Sequence, residues 1–195
     1  MHVARADQFA GILLAAGRGA RFDPSGAQDK LMQVIENGDA VAVAAAKNML
    51  AVLPMVQAVV RPGADALAAQ LRMLGCAVTE CPTAEDGMGA SLVFALTLTR
   101  EAGGWLIALA DMPYVQPATI AALLRAIADG ADIAVPTHAG RRGNPVAFSR
   151  LHLPRLLELS GDRGARSLLQ TLAVVETAVD DAGIHRDIDT VDDLG

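Results

Sequence analysis

Short apolar segments alternate along this chain with alanine- and leucine-rich stretches that close at glycine or proline, and this alternation limits the possible folds most severely. The first segment, Phe9 to Ala16, is continuous, short and bounded by glycine, the pattern of a strand buried on both faces. After it the spacing predicts a helix over Asp39 to Leu53, a strand over Val56 to Val60, a helix over Ala64 to Leu74 and a strand over Ala77 to Glu80. A helix over Gly89 to Arg100 and a fully apolar strand over Trp105 to Ala110 follow, then a helix over Pro117 to Asp129 with proline in its first turn. Short strands at Ile133 to Val135 and Pro145 to Phe148, helices near Leu153 to Leu159 and Ala165 to Leu172, and a strand at Val174 to Val179 complete the pattern. Such alternation calls for an α/β fold with a mostly parallel sheet and helices on both faces.

The remaining composition agrees. The 195 residues fit one domain, 1–195, and 52% of them are apolar while only 3% are aromatic, so Ala, Leu and Val must fill the core. No apolar run approaches the roughly 18 residues of a membrane span, and MHVARADQ lacks a secretory core and cleavage site. Two cysteines, Cys76 and Cys81, make no disulfide framework, so the expectation is a cytoplasmic protein with free thiols. A net charge of −6 argues against a general nucleic-acid surface.

In a parallel sheet of this kind, ligands bind outside the carboxyl ends of the strands. Three charged features fall there. Gly17-Arg18-Gly19-Ala20-Arg21 follows the first strand, and Lys30 comes nine residues after Arg21. The glycines permit close backbone approach to an anion, and the three cations suit a triphosphate. The spacing matches neither a P-loop nor a dinucleotide fingerprint. Arg61 follows the second strand, and Asp111 follows the apolar WLIALA strand. A carboxylate leaving a buried strand is costly unless it is paired or binds a metal; Mg2+ shared with substrate phosphates is one use, and capping the Asp-Met-Pro-Tyr turn is the other. The acidic run Asp187 to Asp193 offers a second carboxylate, or else an N-cap at Asp189 or Thr190 before a short helix. The four histidines are scattered and read as surface residues.

LAAGRGARF with a following DK, then GMGASL (Gly87 to Leu92), LADMP (Leu109 to Pro113), GRRGNPVAF (Gly140 to Phe148), GDRGAR (Gly161 to Arg166) and DIDTVDDL (Asp187 to Leu194) occur in the order seen in the MobA-like nucleotidyltransferases. The chain resembles most their molybdenum cofactor (molybdopterin) cytidylyltransferase branch, since it carries Leu14-Ala15-Ala16-Gly17 where guanylyltransferase relatives usually carry Leu-Ala-Gly-Gly. The resemblance implies a Rossmann-like three-layer α/β/α fold, and transfer of CMP from CTP, with Mg2+, onto a molybdopterin-type acceptor with release of pyrophosphate. It implies that Leu14, Ala15, Ala16, Gly17, Arg18, Gly19, Lys30, Arg61, Gly87 and Ser91 line the nucleotide site, with Arg21, Lys30 and Asp111 as the reactive set. Asp111 and Asp189 would hold the metal, and Asn144, Asp162, Arg163 and Arg166 the acceptor. Read alone, GDRGAR is also a plain helix start with Asp162 as its cap, whereas the resemblance gives it to the acceptor's phosphate or pterin; Arg141 and Arg142 are either acceptor contacts or a solvated pair. A molybdenum hydroxylase apoenzyme is the implied partner. Guanylyl or sugar- and polyol-phosphate transfer, or a non-catalytic protein delivering a nucleotide cofactor, remain the other readings.

Overall fold

The structure is a computed structural model that describes residues 9–19, 21–25 and 28–194, without the side chains of residues 162–164, 166 and 167. Its eight strands form one sheet in the order β3-β2-β1-β4-β7-β5-β6, with β8 also paired to β5. The strands are β1 (Phe9–Ala15), β2 (Val56–Val60), β3 (Ala77–Glu80), β4 (Gly104–Leu109), β5 (Ile133–His138), β6 (Arg141–Arg142), β7 (Val146–Ser149) and β8 (Val175–Ala178). β1 lies at the centre, parallel to β2 on one side and to β4 on the other, and every one of its residues is buried. That is why its sequence is continuously apolar rather than alternating. β7 runs antiparallel between β4 and β5, and β6 is antiparallel to β5. The sheet is thus mixed but mostly parallel, as the pattern predicts.

Helices cover both faces. One core cluster packs α1 (Val41–Leu50), α2 (Asp65–Met73) and α4 (Pro117–Ala128) against Leu13, Ala15, Ala58 and Leu106 of the sheet. The other packs α3 (Met88–Leu98) and α5 (Leu153–Leu157) against Ile12, Leu14, Trp105 and Phe148. Alternate residues of β1 feed the two clusters, as the pleat requires. Trp105 is fully buried, and its indole N–H donates to the hydroxyl (3.0 Å) and carbonyl (3.3 Å) of Thr99.

α4 has no cap of its own at Gln116. Its first turn is held instead by the buried carboxylate of Asp181, which accepts from Gln116 N (2.8 Å), Thr119 Oγ1 (2.6 Å) and Gly183 N (2.9 Å). One side chain therefore ties the end of the chain to the start of α4.

Three expectations change. The segment predicted as a helix near Ala165 to Leu172 is a 3-10 stretch, Gly161–Gln170. It packs on α3 at Gly89, where an added Cβ would lie 2.8 Å from the Gly161 carbonyl oxygen. His152 is buried, not on the surface: its ring meets the Phe148 ring edge-on, and its Nε2 lacks a partner. His138 and His185 are half-buried and face one another at 6.3 Å between ring centroids; His2 lies outside the described residues. No helix among the described residues is long and apolar enough to cross a membrane.

Candidate active site

The strand order reverses between β1 and β4, and their carboxyl ends emerge side by side: Leu14 pairs with Leu109, and Ala110 N donates to the Leu14 carbonyl (3.0 Å). This is the topological switch point where open α/β sheets bind ligands. An open cavity of about 390 Å³ lies there, in the size range of small-molecule sites. It is lined by Leu14, Ala16, Gly17, Arg18, Gly19, Arg21 and Lys30 from the first strand and its loop, by Gly87 and Ser91 at the start of α3, and by Asp111 and Asp189.

The glycine loop turns at Gly19, whose φ of 63° favours glycine, and the Gly19 carbonyl accepts from Phe22 N and Asp23 N. A Cβ at Gly19 would sit 3.3 Å from Lys30 Cγ, so the lysine stem runs directly along the loop. Lys30 opens a 3-10 turn, Lys30–Met32, that Asp29 caps through Leu31 N at 3.0 Å. The other oxygen of Asp29 takes Arg61 at 2.9 Å, and Arg61 also donates to the Gly17 carbonyl at 3.0 Å. Arg61 thereby braces the glycine loop against the Lys30 turn. Its bonds are to protein groups.

Lys30 is 8% exposed, and its ammonium donates to Asp111 Oδ2 (2.7 Å), the Ile188 carbonyl (2.9 Å) and Asp189 Oδ1 (3.3 Å). Arg21 pairs with the second oxygen of Asp189 at 2.5 Å from an otherwise exposed position. Arg18 and Glu85 pair across the cavity mouth. The backbone joins the two carboxylates as well, because Ile188 N donates to the Asp111 carbonyl at 2.8 Å.

Within the acidic run the capping bonds are local. Asp193 Oδ2 accepts from Thr190 Oγ1 (2.8 Å), Thr190 N (2.7 Å) and Asp189 N (3.1 Å), while Thr190 begins the 3-10 turn Val191–Leu194. Those bonds, the Thr190 hydroxyl foremost, hold the Asp193 carboxyl below its usual range. Capping thus falls to Thr190 and Asp193, and the Asp189 carboxylate is turned toward Lys30 and Arg21 instead.

A divalent cation fits this arrangement. Asp111 and Asp189 supply hard oxygens within reach of one ammonium, and Asp111 Oδ1 is buried without a partner. Among the described residues no three His, Cys, Asp or Glu side chains converge, so a metal here rests on two carboxylates and on oxygens that a ligand brings. Mg2+ commonly takes such a set.

Other expected residues lie apart from the cavity. Ala15 turns its methyl into the core below the opposite face. Asn144 is half-buried beside β7, its N–H bonded to the Ile184 carbonyl, and it borders a small interior void with Asn48 and Leu109. Arg142 pairs with Glu176. The side chains of Asp162, Arg163 and Arg166 lie outside those described. Sequence reasoning missed Asp29, Glu85, Asp193 and the Ile188 carbonyl. Only Asp193 carried a readable signal, the Thr-x-x-Asp spacing of a capping box.

A model of the MobA-like NTP transferase domain matches residues 11–177. None of the curated proteins matches the chain. Among solved structures, the Rv0371c protein of Mycobacterium tuberculosis H37Rv is 29% identical with a TM-score of 0.79, covering 99% of this chain and 96% of that one. Its complex with manganese is 28% identical with a TM-score of 0.76, covering 95% of both. Molybdopterin-guanine dinucleotide biosynthesis protein A from Archaeoglobus fulgidus is 22% identical with a TM-score of 0.65, covering 95% of this chain and 94% of that one, a likeness of fold.

Proposed function

The chain belongs to the MobA-like NTP transferase family and is a nucleotidyltransferase, and from that premise we infer that it transfers CMP from CTP to a molybdopterin-type acceptor with Mg2+. The observation that carries this reading is the convergence of Lys30, Asp111 and Asp189 in a cavity that the glycine loop also lines. The choice of CTP rests on Ala16, which stands where guanylyl relatives usually have glycine. The choice of acceptor rests on the motif order and agrees with the name of the Archaeoglobus neighbour. The product would pass to a molybdenum hydroxylase apoenzyme.

In the reaction, an acceptor phosphate oxygen attacks the α-phosphorus in line, a new P–O bond forms, and the bond to the β-phosphate oxygen breaks to release pyrophosphate. The protein's task is positioning and neutralisation of charge rather than covalent chemistry. The glycine loop from Gly17 to Gly19, with Arg18, would receive the triphosphate, and Arg21 and Lys30 add positive charge beside it from their places on Asp111 and Asp189. Ser91 and the first amides of α3 orient the rest of the nucleotide. Arg61 holds the loop and the Lys30 turn at a fixed separation. Asp111 and Asp189 would hold Mg2+, which neutralises and aligns phosphate oxygens when bound. Asn144, Asp162, Arg163 and Arg166 remain the proposed acceptor contacts.

The test is pyrophosphate release from CTP, GTP, ATP and UTP with molybdopterin and Mg2+. CTP is expected to support the fastest transfer, and Asp111→Ala to abolish it. Preference for GTP would overturn the base assignment. Tight CTP binding with no pyrophosphate from any acceptor would replace transfer with cofactor delivery.

A further inference from the structure

An ammonium has three N–H donors and no acceptor. Those of Lys30 are all spent within the protein, on Asp111 Oδ2, Asp189 Oδ1 and the Ile188 carbonyl, so none is directed at a phosphate. The ammonium sits between the same two carboxylates that a divalent cation would need. Beside it, Asp111 Oδ1 is buried without a partner, so one carboxylate is only half satisfied by the lysine. Resting on the transferase reading above, we propose that Lys30 is an exchange residue. Its ammonium occupies the seat of the divalent cation, and the cation enters only with a triphosphate that takes Lys30 as its own partner.

The energetics follow from the contacts. A cation arriving alone must displace a bonded ammonium that is 8% exposed and leave it without a counter-ion. A triphosphate arriving alone must pull the ammonium from two carboxylates and leave them uncompensated. Together each ligand removes the other's penalty, which is positive coupling between two sites. The movement is short. The lysine stem already lies along Gly19, so only the ammonium end has to turn from the carboxylates toward a triphosphate seated on the glycine loop. Arg21 stays on the far oxygen of Asp189 and keeps that carboxylate in place.

Mn2+ binding to the nucleotide-free protein, followed by calorimetry, tests the exchange. Lys30→Gln and Lys30→Met are expected to bind Mn2+ about ten-fold more tightly than the wild type, or better, and adding Asp189→Asn to Lys30→Gln should remove the gain. Equal or weaker binding by both single variants overturns the proposal. A measurement without variants uses Lys30 and Lys47, the chain's two lysines, in reductive methylation, with the half-exposed Lys47 as the internal reference. Millimolar Mn2+ alone should leave Lys30 protected; if Mn2+ alone exposes it, the seat is not held by the lysine. Failure of the transferase reading would show separately, as absent CMP transfer by the wild type, whereas unchanged Mn2+ affinity in the variants of an active enzyme sinks the exchange alone.

Discussion

Replacing Asp181 with alanine should be among the most destabilising single changes in the molecule. Its carboxylate is 2% exposed and accepts three hydrogen bonds, from Gln116 N, Thr119 Oγ1 and Gly183 N, all between 2.6 and 2.9 Å. Hydrogen bonds to a charged group contribute about 1.5–3 kcal/mol each, and donors left buried and unpaired cost a comparable amount. Part of this is offset by the desolvation of the carboxylate itself. A net loss of about 3–5 kcal/mol is therefore expected, which for a chain of this length lowers Tm by roughly 10 °C. Asp181→Asn should fall between, because its amide oxygen can keep the Gln116 and Thr119 bonds while its NH2 group opposes the Gly183 N–H. Urea titration followed by fluorescence serves as the assay, since Trp105 is the only tryptophan and is fully buried. If both variants lose less than about 1 kcal/mol, Asp181 does not hold α4, and the reasoning from its three bonds is refuted.

Arg61→Gln should separate the glycine loop from the Lys30 turn and weaken CTP binding about five- to thirty-fold, the equivalent of 1–2 kcal/mol, with little change in Tm; an unchanged KM would show that the brace is unnecessary. Gly89→Ala should force the Gly161 carbonyl away from α3 and cost about 1–3 kcal/mol in the same urea titration. Burial pushes the Cys76 thiol up from 9.0 to about 11. The folded state therefore favours the neutral thiol, and its contribution to stability, complete below pH 9, should fade as pH rises toward 11; Cys76→Ser should flatten that decline. Ellman's reagent at neutral pH should find both buried thiols only after unfolding.

Fold and site were legible to different depths. The parallel core could be read because β1 and β4 are buried on both faces and so lack polar residues, while glycine and proline mark the ends of the helices. The same logic located the glycine loop and Asp111, since both follow directly from strand ends. The direction of β7 could not be read, because a run of three apolar residues looks alike in either orientation. Nor could the placement of the Asp189 carboxylate beside Lys30 and Arg21 be chosen over a cap. That choice depends on Thr190 and Asp193 meeting across one turn, and on Lys30 arriving from 159 residues away. Arg61 has the composition of a phosphate ligand and the contacts of a brace. Its residue type reports charge, whereas its partners come from the packing of two loops.

The antiparallel strand has a consequence for how such a molecule can diversify. Because β7 opposes β4, its first residue, Val146, lies at the same sheet edge where β1 and β4 end. One rim is thus supplied by chain leaving the sheet before residue 112 and by chain entering it after residue 138. The hairpin that leads into β7 can lengthen, shorten or change charge without moving the strands beneath the glycine loop. Selection can revise one half of the rim while the other keeps its wording.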